Sequence, residues 1–350
     1  MEQGRHPLRT ADPVRPPPKP RRRFSLRSRA VRGWLYQALA LALIAFGVWF
    51  LAHNTLENMR VRGIQSGFDF LTQPAGFDIG ERPVPYESSD GYWRAFAVGL
   101  ANTLRVAIIG IVLTTVIGTL LGIGRFSPNA LVRGLCYVYV EAFRNIPVLL
   151  QLLMGYLLLT EVLPDPGEPL TLGGVVYLSK GGLSLPWPDW SAGGLLPAWQ
   201  LPQRGDVAVT GGAELTPEFL AVLGGLTLYT AAFVAEVVRA GIASVPQGQV
   251  EAARALGLPR GRQLRLVVLP QALRVIIPPL TNQYLNLTKN SSLAVAIGYP
   301  DVVSIANTSL NQTGRAVECI AIIMAVYLFT SLGTSGFMNW YNARAAIRER

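Results

Sequence analysis

Residues 251–270 read EAARALGLPRGRQLRLVVLP, a polar and basic stretch between two long apolar segments. Its first part is rich in Ala and Arg and leads to Gly257, the residue type best able to take the positive φ that ends many helices. The spacing predicts a short helix over residues 248–256, and Leu258 then turns the chain into a second segment. Because an exposed short helix with a small-residue face fits a cleft on a partner, we expect a docking surface here.

The composition is typical of a polytopic membrane protein. Of the 350 residues, 50% are hydrophobic and 15% are charged, and the mean hydropathy is +0.33, which is more apolar than a soluble domain of this size. The net charge of +10 does not indicate nucleic-acid binding, because residues 1–33 hold ten Lys and Arg against two acidic residues. Cys136 and Cys319 both lie in apolar segments, so no metal or redox site is expected.

Six apolar segments are long enough to cross a bilayer as helices. They cover residues 34–51, 98–123, 131–159, 219–238, 271–297 and 320–337. The predicted fold class is therefore all-α, a polytopic membrane helical bundle of about six transmembrane helices, with the docking loop at 251–270 between the fourth and the fifth. A cleaved signal peptide is the alternative for the first segment, but no small-residue cleavage site follows it in LAHNTLENM.

Prolines and glycines predict where these helices are irregular. Pro147 removes a backbone donor within the third segment, so that helix is expected to kink or break. The Pro278-Pro279 pair, and then the polar run Asn286–Ser292, are expected to interrupt the fifth. Gly118 and Gly122 form a GxxxG pair in the second segment, a spacing that lets another helix approach closely.

The distribution of basic residues predicts the topology. With a cytoplasmic N-terminus and six crossings, the inner segments hold about two thirds of the 31 Lys and Arg, the excess expected on the cytoplasmic side of the inner membrane. Both termini and the docking loop are then cytoplasmic. The predicted order is a disordered basic tail, a first transmembrane helix, an external loop, a membrane domain with an external insertion at 160–217, and a C-terminal tail, at residues 1–33, 34–51, 52–94, 95–345 and 346–350.

Ionisable and polar residues inside the spans form three clusters. Such residues are costly in a membrane and by default mark a transport pathway or an internal pair. The clusters are Glu141, Arg144, Asn145 and Pro147; Glu236 and Arg239; and Asn282, Asn286, Lys289, Asn290, Ser291 and Ser292. We expect the fifth helix to unwind near Lys289–Ser292, so that freed backbone groups face a cavity between helices.

The docking loop resembles the EAA loop of binding-protein-dependent ABC import permeases. In that family Glu-Ala-Ala is followed by three residues and Gly, then by nine residues, Ile, one residue and Leu-Pro. The matching positions here are Glu251, Ala252, Ala253, Gly257, Val267, Leu269 and Pro270, with Val in the Ile position. The segments around the three polar clusters are similar to further family segments, although Asn290 and Ser291 stand where the family has Asp and Thr. Residues 34–94 resemble the N-terminal extension of importers for broad-range or acidic amino acids.

The resemblance implies the permease subunit of an ABC importer that moves polar and acidic L-amino acids into the cytoplasm. Its partners would be a cytoplasmic ATP-binding subunit dimer, a periplasmic amino-acid-binding protein, a second permease subunit or a copy of itself, and the lipid bilayer. The chain has no Gly-Lys-Ser/Thr sequence for holding phosphates, so ATP and Mg would be bound by the partner. It is thus predicted to be no enzyme and to hold no cofactor. The docking residues would be Glu251, Ala252, Ala253, Gly257, Leu258 and Pro270.

The role of the polar clusters leaves alternatives open. Lys289 and Glu236 would supply the cation and the carboxylate that a zwitterionic amino acid needs. Alternatively, Glu236 and Arg239 form a structural pair while Lys289 extends to a membrane interface. A secondary transporter driven by an ion gradient would need an acid relay and no docking loop, and a membrane enzyme would need metal ligands or an activated nucleophile. The sequence does not identify the amino acids carried or distinguish a heterodimer from a homodimer.

Overall fold

The computed structural model describes residues 29–61, 63, 66–189, 198–205 and 207–345. Most of the predicted N-terminal tail and all of the C-terminal one therefore lie outside the described residues. Contacts divide the chain into two units, Met1–Ile64 and Gln65–Arg350.

The described residues of the first unit form one helix, α1 (Arg29–Val61), which is longer than the predicted span 34–51. Residues 29–33 are helical, although they were predicted to belong to a disordered tail. Residues 52–61 are helical too, although they were predicted to be loop. The sequence AHNTLENMRV contains neither Pro nor Gly, so nothing ends the helix where its apolar run stops.

The second unit is a helical bundle. Its helices are α2 (Tyr92–Gly124), α3 (Ala130–Asn145), α4 (Val148–Leu157), α5 (Pro217–Ala243), α6 (Gln247–Ala255), α7 (Arg260–Gln263), α8 (Leu269–Asn290), α9 (Val302–Thr313) and α10 (Ala316–Ala345). Short π-helical turns occupy Leu158–Val162 and Leu264–Val268, and 3-10 turns occupy Asp69–Thr72 and Ser291–Ile297. We call the end where α2, α5 and α10 begin the outer end, and the end that carries α6 the inner end.

The predicted number of spans is confirmed for the described part of the chain. Five helices are long and apolar enough to cross a membrane, or six if the bent pair α3 and α4 is one span. The break predicted at Pro147 is present, since α3 and the helix after it meet at 103°. The Gln151 amide closes this bend by donating to the carbonyl oxygens of Phe143 and Ile146, at 2.9 and 2.8 Å.

Helix α2 packs closely on α5 through the predicted GxxxG pair. A Cβ atom at Gly118 would lie 2.6 Å from the Cβ of Val234, and one at Gly122 would lie 2.8 Å from the carbonyl oxygen of Ala235. Real side chains do not approach so closely, so only glycine permits this contact. The Thr114 hydroxyl also donates across the same interface to the carbonyl oxygen of Thr227, at 3.2 Å.

Helix α8 runs through Pro278 and Pro279 without interruption, so the break predicted there was wrong. Proline lacks only its own N–H, and membrane helices tolerate it where the neighbouring helices and turns compensate. The change predicted further along does occur, because α8 ends at Asn290. The chain then continues as the 3-10 turn Ser291–Ile297 rather than as an unwound segment.

Residues 66–91, part of the predicted external loop, form an ordered outer segment that packs on the outer end. Phe70, Ile79 and Tyr86 are buried in a core shared with α2, α9 and α10. Arg315 holds one end of the segment through a two-pronged ion pair with Asp69, at 3.0 and 3.1 Å. At the other end, the buried Glu81 forms an ion pair with Arg105 of α2.

The insertion at 160–217 contains short antiparallel strands, an exception to the all-α prediction. They are β1 (Leu170–Leu172), β2 (Val176–Ser179), β3 (Gly182–Leu185), β4 (Trp187–Asp189), β5 (Ala198–Gln200), β6 (Gln203–Arg204), β7 (Val209–Thr210) and β8 (Ala213–Leu215). The strands β1, β2, β3 and β8 form a four-stranded sheet in that order, and β4–β5 and β6–β7 are separate pairs. Strands of two to four residues are too short for apolar alternation to reveal them.

We predict that Gly118→Ala destabilises the bundle. The new Cβ would have to displace Val234, and overpacking of this kind costs about 1–3 kcal/mol. The midpoint of heat-induced aggregation of the detergent-purified chain should therefore fall. The matched control is Gly224→Ala in α5, where a Cβ meets no atom within 4 Å and which should leave the midpoint unchanged or raise it. Equal midpoints for both variants would contradict the role given to Gly118.

Candidate functional site

The predicted docking helix is present as α6, and Gly257 ends it. Gly257 has a φ of +71°. Its N–H donates to the carbonyl oxygen of Arg254 at 2.9 Å, and the N–H of Leu258 donates to that of Ala253 at 3.2 Å. This pair of bonds is the Schellman closure of a helix C-terminus, which needs a left-handed residue at the glycine position. The shape of the docking loop therefore depends on one residue without a side chain.

The docking helix presents one face outward and rests on the bundle with the other. Glu251 and Ala252 are exposed, whereas Ala253 is buried. Leu258, a predicted docking residue, is half-buried, and its carbonyl oxygen accepts a hydrogen bond from the buried Gln263 amide at 2.6 Å. Leu256, which the sequence analysis did not select, is 81% exposed at the tip of the loop. It is more exposed than the other large apolar side chains of the docking loop.

The docking loop is joined firmly to the membrane helices. Val250 of α6 packs with Val245 and Val268 in a core at the inner ends of α5 and α8. Residues 260–297 form one helical span that comprises α7, a π-turn, α8 and the 3-10 turn. Pro270 lies half-buried at the start of α8. Because no flexible loop separates α7 from α8, a displacement of the docking loop is transmitted to α8.

Helix α8 carries an exposed polar face. Asn282, Asn286 and Lys289 are exposed and follow one another at intervals of four and three residues, the spacing of one helix face. Ser291 is buried and donates to the carbonyl oxygen of Thr288 at 2.7 Å, while Ser292 is half-buried and donates to that of Lys289 at 2.8 Å. Asn290 is half-buried as well. Polar side chains on a membrane helix are costly against lipid, so this face belongs to a cavity or to an interface with another chain.

Glu236 belongs to an ion-pair cluster near the inner end. Its carboxylate accepts hydrogen bonds from Arg239 at 2.5 and 3.0 Å and from Arg125 at 2.5 Å. The Arg125 guanidinium also lies 5.4 Å from the centre of the Tyr137 ring. The cluster therefore joins the inner end of α2 to α3 and α5. Arg125 was missed by the sequence analysis because it follows the apolar segment rather than interrupting it.

Glu236 and Lys289 do not come together. Gly241 of α5 faces Ile276 of α8. The two helices are antiparallel, since α5 runs toward the inner end and α8 toward the outer end. With a rise of 1.5 Å per residue, Lys289 lies about 12 Å further toward the outer end than Glu236. The two groups therefore do not clamp the opposite ends of one zwitterion in this conformation, and the geometry favours the structural-pair alternative for Glu236 and Arg239.

The third predicted cluster lies at the α3–α4 bend. Glu141 is half-buried, and its carbonyl oxygen accepts a hydrogen bond from the Asn145 amide at 2.7 Å. Arg144 is exposed, with its guanidinium 5.4 Å from the centre of the Phe233 ring. Pro147 is exposed at the bend itself. Helix α4 beyond the bend packs against the 3-10 turn after α8, so this cluster adjoins the outer part of the polar face.

A buried acid near the 3-10 turn was also missed. Asp301 is fully buried and accepts a hydrogen bond from the backbone N–H of Ser304 at 2.8 Å, which caps α9. The Tyr327 hydroxyl lies 3.4 Å from its other oxygen and also contacts the side chains of Ser291 and Ser292. Burial raises the pKa of Asp301 to about 7. This network ties the end of the polar face to α9 and α10.

The arrangement gives no sign of reaction chemistry. Within the described residues, no group of three His, Cys, Asp or Glu side chains is placed to hold a metal ion. What the structure presents is a short helix with an exposed face at one end of a membrane bundle and a polar helix face within the bundle. These features define the membrane component of a transport complex.

The chain belongs to the family of binding-protein-dependent transport system inner membrane components, whose model matches residues 114–346. It is 43% identical to the general L-amino acid transport system permease protein AapQ of Rhizobium johnstonii, over 91% of this chain and 93% of AapQ. It is 37% identical to the glutamate/glutamine/aspartate/asparagine transport system permease protein BztB of Rhodobacter capsulatus, over 90% and 93%.

A solved structure has the same fold. The crystal structure of an amino acid ABC transporter with histidines covers 72% of this chain and 95% of its own, with 25% identity and a TM-score of 0.52. The chain is therefore an integral inner-membrane permease subunit of the ABC importer type, and ATP hydrolysis falls to a separate subunit. The comparisons give no support to a secondary transporter driven by an ion gradient.

We predict that the ion pair between Arg125 and Glu236 stabilises the inner end of the bundle. Arg125→Ala and Glu236→Ala should each lower the thermal stability of the purified chain. The double variant should lose less than the sum of the two, by about 0.5–3 kcal/mol, because residues in contact are not additive. Additive losses would contradict the pair. A raised half-saturating substrate concentration for Glu236→Ala at unchanged stability would instead place Glu236 in contact with substrate.

Proposed function

We propose that this chain is the permease subunit of an ATP-driven importer that moves polar and acidic L-amino acids into the cytoplasm by alternating access. The general L-amino acid system of AapQ and the glutamate, glutamine, aspartate and asparagine system of BztB support this substrate class. The amino acid ABC transporter with histidines supports it as well. Which of these amino acids the chain accepts depends on the partner that delivers them as well as on its own polar face.

The observation that carries the proposal is the docking loop. Glu251, Ala252 and Leu256 face outward on a short helix whose end is fixed by Gly257, and the loop continues without a break into α8. A dimer of ATP-binding subunits in the cytoplasm would hold this helix and bind ATP and Mg. Closure of that dimer would move α6, and the rigid path through α7 would carry the movement into the bundle.

The polar face of α8 supports a second membrane subunit. Asn282, Asn286 and Lys289 are exposed in the isolated chain, and a lipid environment would leave their polar groups without partners. A second permease subunit, or another copy of this chain, would cover the face and enclose a polar path between the two bundles. Lys289 would attract the carboxylates of the substrate there.

The proposed topology indicates the side of the membrane on which the remaining partner acts. With the α6 end in the cytoplasm, both termini are cytoplasmic and the ordered segment 66–91 and the insertion lie outside, as the excess of basic residues on the inner side indicates. A periplasmic amino-acid-binding protein would deliver the substrate to the outer end.

The proposal is tested by reconstitution. The chain is co-expressed with the ATP-binding subunit, second permease and binding protein encoded beside it, and the purified complex is placed in liposomes with ATP inside. A panel of labelled amino acids should show ATP-dependent uptake of polar or acidic members, which also require the binding protein. Uptake driven by an ion gradient without ATP would overturn the proposal.

Gly257→Asp should abolish uptake while the protein remains in the membrane. Asp cannot adopt the φ of +71° without strain, so the Schellman closure would be lost. Co-purification of the ATP-binding subunit should fall at least tenfold. Gly261→Asp is the matched control, because Gly261 lies in the same loop without a positive φ and without an atom within 4 Å of a new Cβ. Normal uptake by the Gly257 variant would contradict the docking role.

Lys289→Ala should change the response of the complex to substrate. We expect the concentration of binding-protein-delivered amino acid that gives half-maximal ATPase stimulation to rise about tenfold, since a charge-assisted contact contributes about 1.5–3 kcal/mol. Lys289→Arg keeps the charge and should restore most of the response. If the alanine variant responds as the wild type does to every amino acid of the panel, Lys289 is a structural residue.

A further inference from the structure

The four-stranded sheet of the insertion is built directly onto the outer end of α5. Strand β8 ends at Leu215, which packs into the core beside α5, and Thr216 caps the helix by accepting the N–H of Phe219 at 3.2 Å. A Cβ at Gly182 of β3 would lie 2.1 Å from the carbonyl oxygen of Leu215. This close approach holds β3 tightly against β8. Only Thr216 separates β8 from α5, and β3 also packs against α5, so the sheet and the helix are expected to move together.

The outer edge of this sheet exposes an apolar pair. Leu170 and Leu172 lie two residues apart on β1 and therefore share one face of the strand, and they are 55% and 76% exposed. Among the described strands, β1 is the terminal one at the end of the sheet opposite β8, the strand that leads into α5. Glu168, just before the strand, is exposed as well. Proteins normally cover or charge such an edge, and an exposed apolar one indicates a binding surface.

Lipid does not cover this edge. Helix α5 has 27 residues and is about 40 Å long, whereas the hydrocarbon core of a bilayer is about 30 Å thick. Since the inner end of α5 leads at once into the polar docking loop, the outer end projects beyond the hydrocarbon, and the sheet lies further out still. The partner of the Leu170 and Leu172 edge is therefore a molecule in the aqueous compartment.

Helix α5 joins this edge to the docking helix. Three residues, 244–246, separate its inner end from α6. Along its length α5 packs against α2, α3, α4 and α8. A load on the sheet thus acts on one end of a rigid helix whose other end adjoins the site for the ATP-binding subunits. An outer partner that has to signal to those subunits would use this connection.

We propose that the β1 edge, centred on Leu170 and Leu172, is the docking site for the periplasmic amino-acid-binding protein. The proposal rests on the function proposed above. The binding protein would present an apolar strip flanked by basic residues, since Glu168 lies beside the leucines. Its contact would couple arrival of substrate outside to the ATP-binding subunits inside through α5.

The test uses the reconstituted complex and the binding protein that gives uptake with the wild type. The Leu170→Ser/Leu172→Ser variant should raise the half-maximal binding-protein concentration for ATPase stimulation at least tenfold. Its maximal rate and its basal ATPase rate should be unchanged. Leu201→Ser is the matched control, because Leu201 is 48% exposed in the insertion but outside the four-stranded sheet. Glu168→Lys should raise the same concentration, and more so at low salt.

Each other outcome overturns the assignment. An unchanged half-maximal concentration in the double serine variant would mean that the binding protein docks elsewhere. Loss of the second permease from the purified complex would make the edge a contact between membrane subunits. If the wild-type complex transports amino acids without any binding protein, the proposed function fails first, and that result is visible before any variant is made.

Discussion

The close approach of α2 to α5 is the constraint on which the rest of the bundle depends. Gly118 and Gly122 have no side chains at this contact, so the backbone of α2 lies close to α5. A Cβ atom at either position would lie less than 3 Å from side-chain and backbone atoms of α5. Helix α5 also contacts α3, α4 and α8, so its position determines theirs. The core at its inner end includes a residue of the docking helix. The bundle is thus arranged around α5, and the two glycines of α2 allow the close packing that places α5 at its centre.

The features that could be predicted from the sequence have local causes. Pro147 breaks its helix because the missing N–H and the clash with the preceding turn act within four residues. Gly257 ends the docking helix because its own φ decides the closure. The apolar spans are visible because each is long and mostly apolar, so the number of membrane spans and the all-α class could be predicted directly. The helix and turn of the docking loop could likewise be predicted from the spacing of residues within that loop.

The features that could not be predicted depend on residues far apart in the chain. From the sequence, Glu236 is interpreted as a pathway residue or as one half of a pair with Arg239. In the structure it also forms an ion pair with Arg125, more than a hundred positions away in the chain. The Pro278-Pro279 pair has the local signal of a break, yet the packed bundle keeps α8 helical. The sheet of the insertion consists of strands too short to show a period, and its pairing joins β3 to β8 across thirty residues.

The π-turn at Leu264–Val268 has a consequence for the direction in which the polar face points. Each residue of an α-helix rotates the chain by about 100°, and a π-turn accommodates one residue more than an α-turn does. The angular phase between α7 and α8 is therefore set by that one extra residue. The number of residues in this turn therefore determines the direction in which Asn286 and Lys289 point relative to the docking helix. In a relative with one residue fewer in the turn, the same side chains would be rotated by about a quarter of a revolution.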